Sequence, residues 1–223
     1  MKQLAFDLAA SPPPTLDNFV TGRNAEVVER LRAIVRAPAA ERFLYLWGAP
    51  ASGRTHLLKA AVVEFERAGC RAAYVGAVET PDEAAWARLD AAAVDDVDRL
   101  DEAGQGALFH LFNRLRDAGG ALIAAGSAPP ARLHLREDLR SRLAWGLVHE
   151  VHALPDTEKE GALAEHAAAR GFSLPPEVAR YLLTRGQRDM RTLIAMVETL
   201  DRYSLETKRA VTVPLARELV GDK

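Results

Sequence analysis

The hydrophobic positions of this chain change their period along its length, and those changes lay out its elements. Val27, Val28, Leu31, Ile34 and Val35 recur at helical spacing within residues 24–36. Phe43, Leu44, Tyr45, Leu46 and Trp47 form instead a short unbroken apolar run ending at Gly48, which suits a buried strand. Helical spacing returns over residues 55–67 and 102–117, and short apolar runs return at 71–75, 91–95, 120–125 and 147–151. Strands alternating with helices predict an α/β fold, a parallel sheet covered on both faces. After Pro155 the runs stop. Residues 157–170, 175–184 and 188–205 carry only the helical period, with turns between them at 171–175 and at Arg185 and Gly186. The expected organisation is an α/β base over residues 11–154 and a small all-helical domain over 155–223. Residues 1–10 read as a flexible arm ahead of Pro12, Pro13 and Pro14, which favour an extended chain.

Composition narrows the class. With 223 residues, 48% of them hydrophobic and 27% charged, the chain reads as a soluble globular protein of one or two cores. The net charge of −2 lacks the basic excess expected of a general nucleic-acid binder. A single cysteine, Cys70, excludes an internal disulfide and fits a reducing compartment. No apolar stretch approaches the roughly 20 residues that span a bilayer, and Asp7 interrupts any signal-peptide-like run. The expected location is cytoplasmic. The six histidines have no metal-ligand spacing and read as structural or surface residues, Cys70 reads as a core residue, and Trp86 and Trp145 read as core or interface residues rather than cofactor stackers.

One loop adds chemistry. Gly48, Ala51, Ser52, Gly53, Arg54 and Thr55 lie between a predicted strand and a predicted helix. Glycines there allow a tight turn whose N–H groups face an anion, and the helix N-terminus adds its positive end. Thr55 is placed to put its hydroxyl on Mg²⁺. Arg54 stands where this loop type usually has Lys, so the charge is kept on a larger, planar, forked group. Asp95 and Asp96 end the run at 91–95. They suit holding Mg²⁺ through water (Asp95) and polarising an attacking water (Asp96). The plain alternatives are an ordinary glycine-rich turn and a pair of solvated acids at a strand end.

These residues resemble the DnaA family of bacterial AAA+ proteins, and within it the regulators related to the initiator. The resemblance covers almost the whole chain. Residues 16–24, with Phe19 and Val20, look like the family's segment packing on adenine. Residues 53–58, with His56, look like its phosphate loop, and the regulator branch carries Arg at the position of Arg54. Residues 139–147 look like the arginine-finger motif, which makes Arg142 the finger acting in trans. The bland alternative for Arg142 is a helix-surface pair with Glu137 or Asp138. Residues 188–193 look like the sensor 2 helix, with Arg188 reaching the phosphates and Arg191 in reserve. Ser127 occupies the sensor 1 position: this chain has Gly126, Ser127 and Ala128 where relatives often carry Asp-Arg. The resemblance implies ADP or ATP with Mg²⁺ as cofactors and head-to-tail contacts between AAA+ subunits. Residues 206–223 are too short for the initiator's DNA-reading domain, so no sequence-specific DNA binding is expected.

The arm carries a second resemblance. Gln3, Leu4, Phe6 and Leu8 look like the short peptide by which proteins dock on the bacterial sliding clamp, although their alternation also suits an edge strand. Together the two resemblances imply a clamp-bound regulator that meets DnaA–ATP and promotes its hydrolysis, which prevents re-initiation of replication. An autonomous ATPase and a helicase-loader-like protein are the alternatives.

Overall fold

The computed structural model describes residues 13–36, 41–76, 83–185 and 189–220. They fall into two compact units, one from Pro13 to Ala153 and one from Leu154 onward.

The first unit holds a five-stranded sheet with β1 (Phe43–Trp47), β2 (Ala72–Val75), β3 (Ala91–Val94), β4 (Ala121–Gly126) and β5 (Leu147–Glu150). The order is β2-β3-β4-β1-β5 and every pairing is parallel. β3 and β4 are buried along their whole length, as expected of continuous apolar runs in a parallel sheet covered twice. Strand alternation divides β1 between two cores. Leu44 and Leu46 face α1 (Ala25–Arg36) and α2 (Arg54–Arg67), packing with Leu31, Leu57 and Leu58. Phe43 and Tyr45 face α4 (Glu102–Asp117) and α5 (Glu137–Leu143), packing with Phe112, Leu115 and Leu139. Buried Asn24 exchanges two hydrogen bonds with the backbone of His152, Nδ2 donating at 2.9 Å and Oδ1 accepting at 2.8 Å. This ties the start of α1 to the chain leaving β5 and leaves the amide satisfied. A one-turn helix, α3 (Glu83–Trp86), lies ahead of β3 and has no counterpart in the predicted elements.

The second unit contains α6 (Asp156–Ala169), α7 (Pro176–Arg185), α8 (Met190–Thr207) and α9 (Val213–Val220) around Leu163, Leu182, Leu193, Val197 and Leu215. The hydrophobic period predicts only the first three. The fourth is short; Leu215 and Ala216 are fully buried, and Val213 and Leu219 pack beside them. Trp145, read as a core or interface residue, is 55% exposed and stands edge-on to Phe43 and Phe112. Cys70 is partly buried against the first core.

Candidate functional site

The loop between β1 and α2 is built for close approach. A β-carbon on Gly48 would collide with the Val151 carbonyl, so the loop lies against the chain leaving β5. Ala51 and Gly53 take left-handed backbone, at φ 60° and 101°, and Ser52 N–H donates to the Ala49 carbonyl at 3.2 Å. α2 then begins at Arg54 with no side chain capping it, which leaves its first-turn N–H groups to an outside acceptor. Ser52 is 6% exposed and its hydroxyl has no protein partner. An orphaned buried hydroxyl beside uncapped amides fits an anion, because each such group is costly unless something accepts from it.

The acids after β3 close on this loop from the side. Asp95 is 3% exposed. Its Oδ2 accepts from the Thr55 hydroxyl at 2.6 Å and from the Tyr74 phenol at 3.0 Å, and its Oδ1 accepts from Asp96 N–H at 2.9 Å. The predicted metal pair, Thr55 and Asp95, is thus brought together. Hydroxyl and carboxylate oxygens are the donor set a hard cation takes beside its waters, so the residues present fit Mg²⁺. Among the described residues no cluster of three or more His, Cys, Asp or Glu suits another metal. Asp96 adopts left-handed backbone at φ 46°, the sort of local strain that collects at functional sites. Its carboxylate lies 3.7 Å from the Arg54 guanidinium and 3.6 Å from that of Arg99.

Arg54 is directed inward. Its Nη1 donates to the Gly48 carbonyl and its Nη2 faces Asp96, so the guanidinium spans the loop. Phe19 lies over the loop's exit: a β-carbon on Gly53 would sit 2.7 Å from its ring, which also tilts against the His56 ring at 5.4 Å between centroids. His56 Nε2 bonds the Thr15 carbonyl at 2.9 Å. Beside Phe19 a cleft of about 230 Å³ opens between residues 16–21 and α1.

At the end of β4, Ser127 is held by an acid that sequence reasoning missed. Asp98 accepts from Ser127 N–H at 3.0 Å and from its hydroxyl at 2.8 Å. Ser127 therefore spends its one proton within the protein rather than toward a phosphate. The Tyr45 phenol donates to the Ala128 carbonyl at 2.9 Å, and burial, with Asp98 adding to it, pushes this phenol far above its ordinary value. The signal for Asp98 was the third acid in the run at 95–98. Tyr74 carried only its place as the polar residue of a strand otherwise made of alanine and valine.

Arg142 lies on α5 with its guanidinium carbon 5.9 Å from the ring centres of both Phe109 and Phe112. The alternative pairing with Glu137 or Asp138 is not formed; Asp138 pairs instead with Arg136 at 2.8 Å. Arg191 is exposed on α8, whose first turn is capped by Asp189 accepting from Thr192 N–H at 2.9 Å. Arg188, and Gln3, Leu4, Phe6 and Leu8 of the arm, lie outside the described residues.

A glycine-bearing turn from strand to uncapped helix, with an acid from a second parallel strand on the helix's threonine, defines a P-loop domain, and the strand order with the following helical unit places it among the AAA+ folds. The family model of the bacterial DnaA ATPase domain matches residues 12–150, and that of the Hda lid domain matches residues 156–220. The chain belongs to the DnaA family, and it joins a DnaA-type ATPase domain to an Hda-type lid. Among solved structures, a replication initiator DnaA bound to AMPPCP and single-stranded DNA is 25% identical with a TM-score of 0.70, over 87% of this chain and 67% of that one. The chain thus spans about two thirds of that initiator's length. Domain III of DnaA from Thermotoga maritima is 22% identical with a TM-score of 0.73, over 93% and 95% of the two chains. The RuvB Holliday junction branch migration motor of Thermotoga maritima is 17% identical with a TM-score of 0.65, over 93% and 71%. These last two bear on the fold alone. The resemblance read from the sequence and the expected fold class both hold.

Proposed function

We propose that this chain is an Hda-type regulator of replication initiation. It binds ADP or ATP with its phosphates on the loop at residues 48–55 and its base toward Phe19 and Val20, with Mg²⁺ between Thr55 and Asp95. Residues 3–8 dock it on the sliding clamp. There it meets DnaA–ATP, and Arg142 enters the DnaA nucleotide site and promotes hydrolysis. Arg188 serves as sensor 2, and the working location is the cytoplasm. No described helix is long and apolar enough to cross a membrane.

The observation that carries this reading is Arg142. Among the described residues it makes no ion pair, and its charge rests on two phenylalanine faces. A guanidinium held by aromatic stacking keeps its N–H fork available to an incoming phosphate. Supplied in trans, it stabilises charge on the transferring phosphoryl group. The test is hydrolysis of DnaA-bound ATP on clamp-loaded DNA. Arg142→Ala should reduce the stimulated rate roughly a thousandfold or more while leaving the chain's own ADP affinity intact. Gln3→Ala should lose stimulation only where the clamp is needed. Full stimulation by Arg142→Ala would remove the finger from this account.

A second reading, an ATPase acting alone, is favoured by one observation: the Thr55–Asp95 pair is assembled within this chain at 2.6 Å. Turnover should still be slow, since Arg54 replaces the usual lysine and Ser127 is committed to Asp98. Multiple turnovers per minute with Mg-ATP and no DnaA would favour the second reading.

A further inference from the structure

We propose that Tyr74 is a positioning residue for the metal half of this site: its phenol fixes the Asp95 carboxylate in the rotamer that holds the waters of a divalent cation. This deepens the nucleotide reading above and rests on it.

β2 and β3 run in register, with Tyr74 opposite Ala93 and Val75 opposite Val94. Asp95 N–H extends that ladder by donating to the Val75 carbonyl at 2.9 Å. The main chain of Asp95 is thereby clamped to β2, and the remaining freedom lies in its side chain. A terminal carboxylate torsion is broad and roughly two-fold, so hydrogen bonds have to set it. Oδ1 is set by Asp96 N–H at 2.9 Å. Oδ2 has two donors, the Thr55 hydroxyl at 2.6 Å and the Tyr74 phenol at 3.0 Å.

The two donors do different work. Thr55 stands on the phosphate loop's helix, and its oxygen keeps lone pairs for a cation after giving its proton to Asp95. That bond therefore ties Oδ2 to α2. Tyr74 stands on the sheet, and its bond holds Oδ2 independently of the loop. Its ring is braced in turn: the Lys59 ammonium lies 4.7 Å above the ring centroid. Lys59 follows Thr55 by one helical turn on α2. The helix that supplies the threonine hydroxyl thus also supplies the cation steadying the tyrosine. Tyr74 does not reach the phosphates itself on this account. It acts through Asp95.

The test is calorimetric titration of ADP into the full chain, once with Mg²⁺ and once with EDTA, comparing wild type with Tyr74→Phe. The variant keeps the ring over which Lys59 sits and removes one donor to a charged acceptor. In EDTA it should bind ADP as wild type does, which also reports that it is folded. The Mg²⁺-dependent gain in affinity should shrink roughly tenfold, the size of one hydrogen bond to a charged group. An undiminished gain would overturn the proposal. So would an equal loss in both buffers, the mark of a purely structural tyrosine. If wild type binds no ADP in either buffer, the nucleotide reading itself fails. If wild type binds ADP equally in both, that reading stands and only the metal assignment, with Tyr74's part in it, is lost.

Discussion

Gly53 meets two demands at once. Its φ of 101° is open to glycine and strained for other residues, and the Phe19 ring edge occupies the space a β-carbon would take. Gly53→Ala should therefore lower the stability of the chain by roughly 1–2 kcal/mol and weaken ADP binding, because relief requires the loop or Phe19 to move. Urea unfolding followed by ADP titration checks both, and an unchanged midpoint would show that the loop is not held as described. At this scale residue types were legible and side-chain directions were not. Arg54 reads from sequence as a cation beside phosphates, yet its guanidinium spans from the Gly48 carbonyl to Asp96. Ser127 reads as a sensor position, yet its hydroxyl belongs to Asp98. A planar fork and a small hydroxyl both take the nearest strong acceptor, and no local pattern names that acceptor.

Elements depend on short ion pairs at their ends. Arg71 precedes β2 and Asp90 precedes β3, and the two are joined by Arg71 N–H at 2.9 Å, Nε at 3.0 Å and Nη2 at 2.8 Å. The side-chain bonds from Arg71, then its backbone N–H, hold the Asp90 carboxyl far below the usual carboxylate range. A carboxylate depressed in the folded state stabilises it above the unfolded pKa, and that contribution is lost as pH falls through the folded value. Chemical denaturation should thus show Asp90→Asn less stable than wild type by a constant margin above about pH 5, with the margin closing as the pH falls below the ordinary aspartate value of about 3.9. A margin that does not change with pH would mean the pair is inert. The long helices were legible because each repeats its period several times, and the strands because each is an unbroken apolar run between polar turns. α9 was not, since its eight residues span barely two turns, and Val213, Leu215, Ala216 and Leu219 mark its buried face only once.

On the scale of the whole molecule, each unit has a core of its own. Leu193 is fully buried in the helical unit among Leu163, Val197 and Leu200. Leu193→Ala should cost about 2–5 kcal/mol locally. Hydrogen exchange should quicken for amides of α6, α7 and α8 while β1, β3 and β4 keep their rates, as expected where cores open separately. Equal acceleration throughout would mean a single cooperative unit. What the sequence determined by itself was the alternation of strands with the long helices, the helical segment after it, the presence of a P-loop and the family. The elements and the P-loop rest on local rules (hydrophobic period, glycine placement, residue types at short spacing), and the family on the resemblance of those motifs to known ones. What the tertiary structure alone decided was which polar groups meet. Thr55 reaches Asp95 across 40 residues and Ser127 reaches Asp98 across 29, and Tyr74 reaches Asp95 from a neighbouring strand. Those meetings follow from the order β2-β3-β4-β1-β5, which brings the ends of separate strands to one edge of the sheet. A hydrogen bond is made between atoms adjacent in space, and one-dimensional spacing does not carry that adjacency.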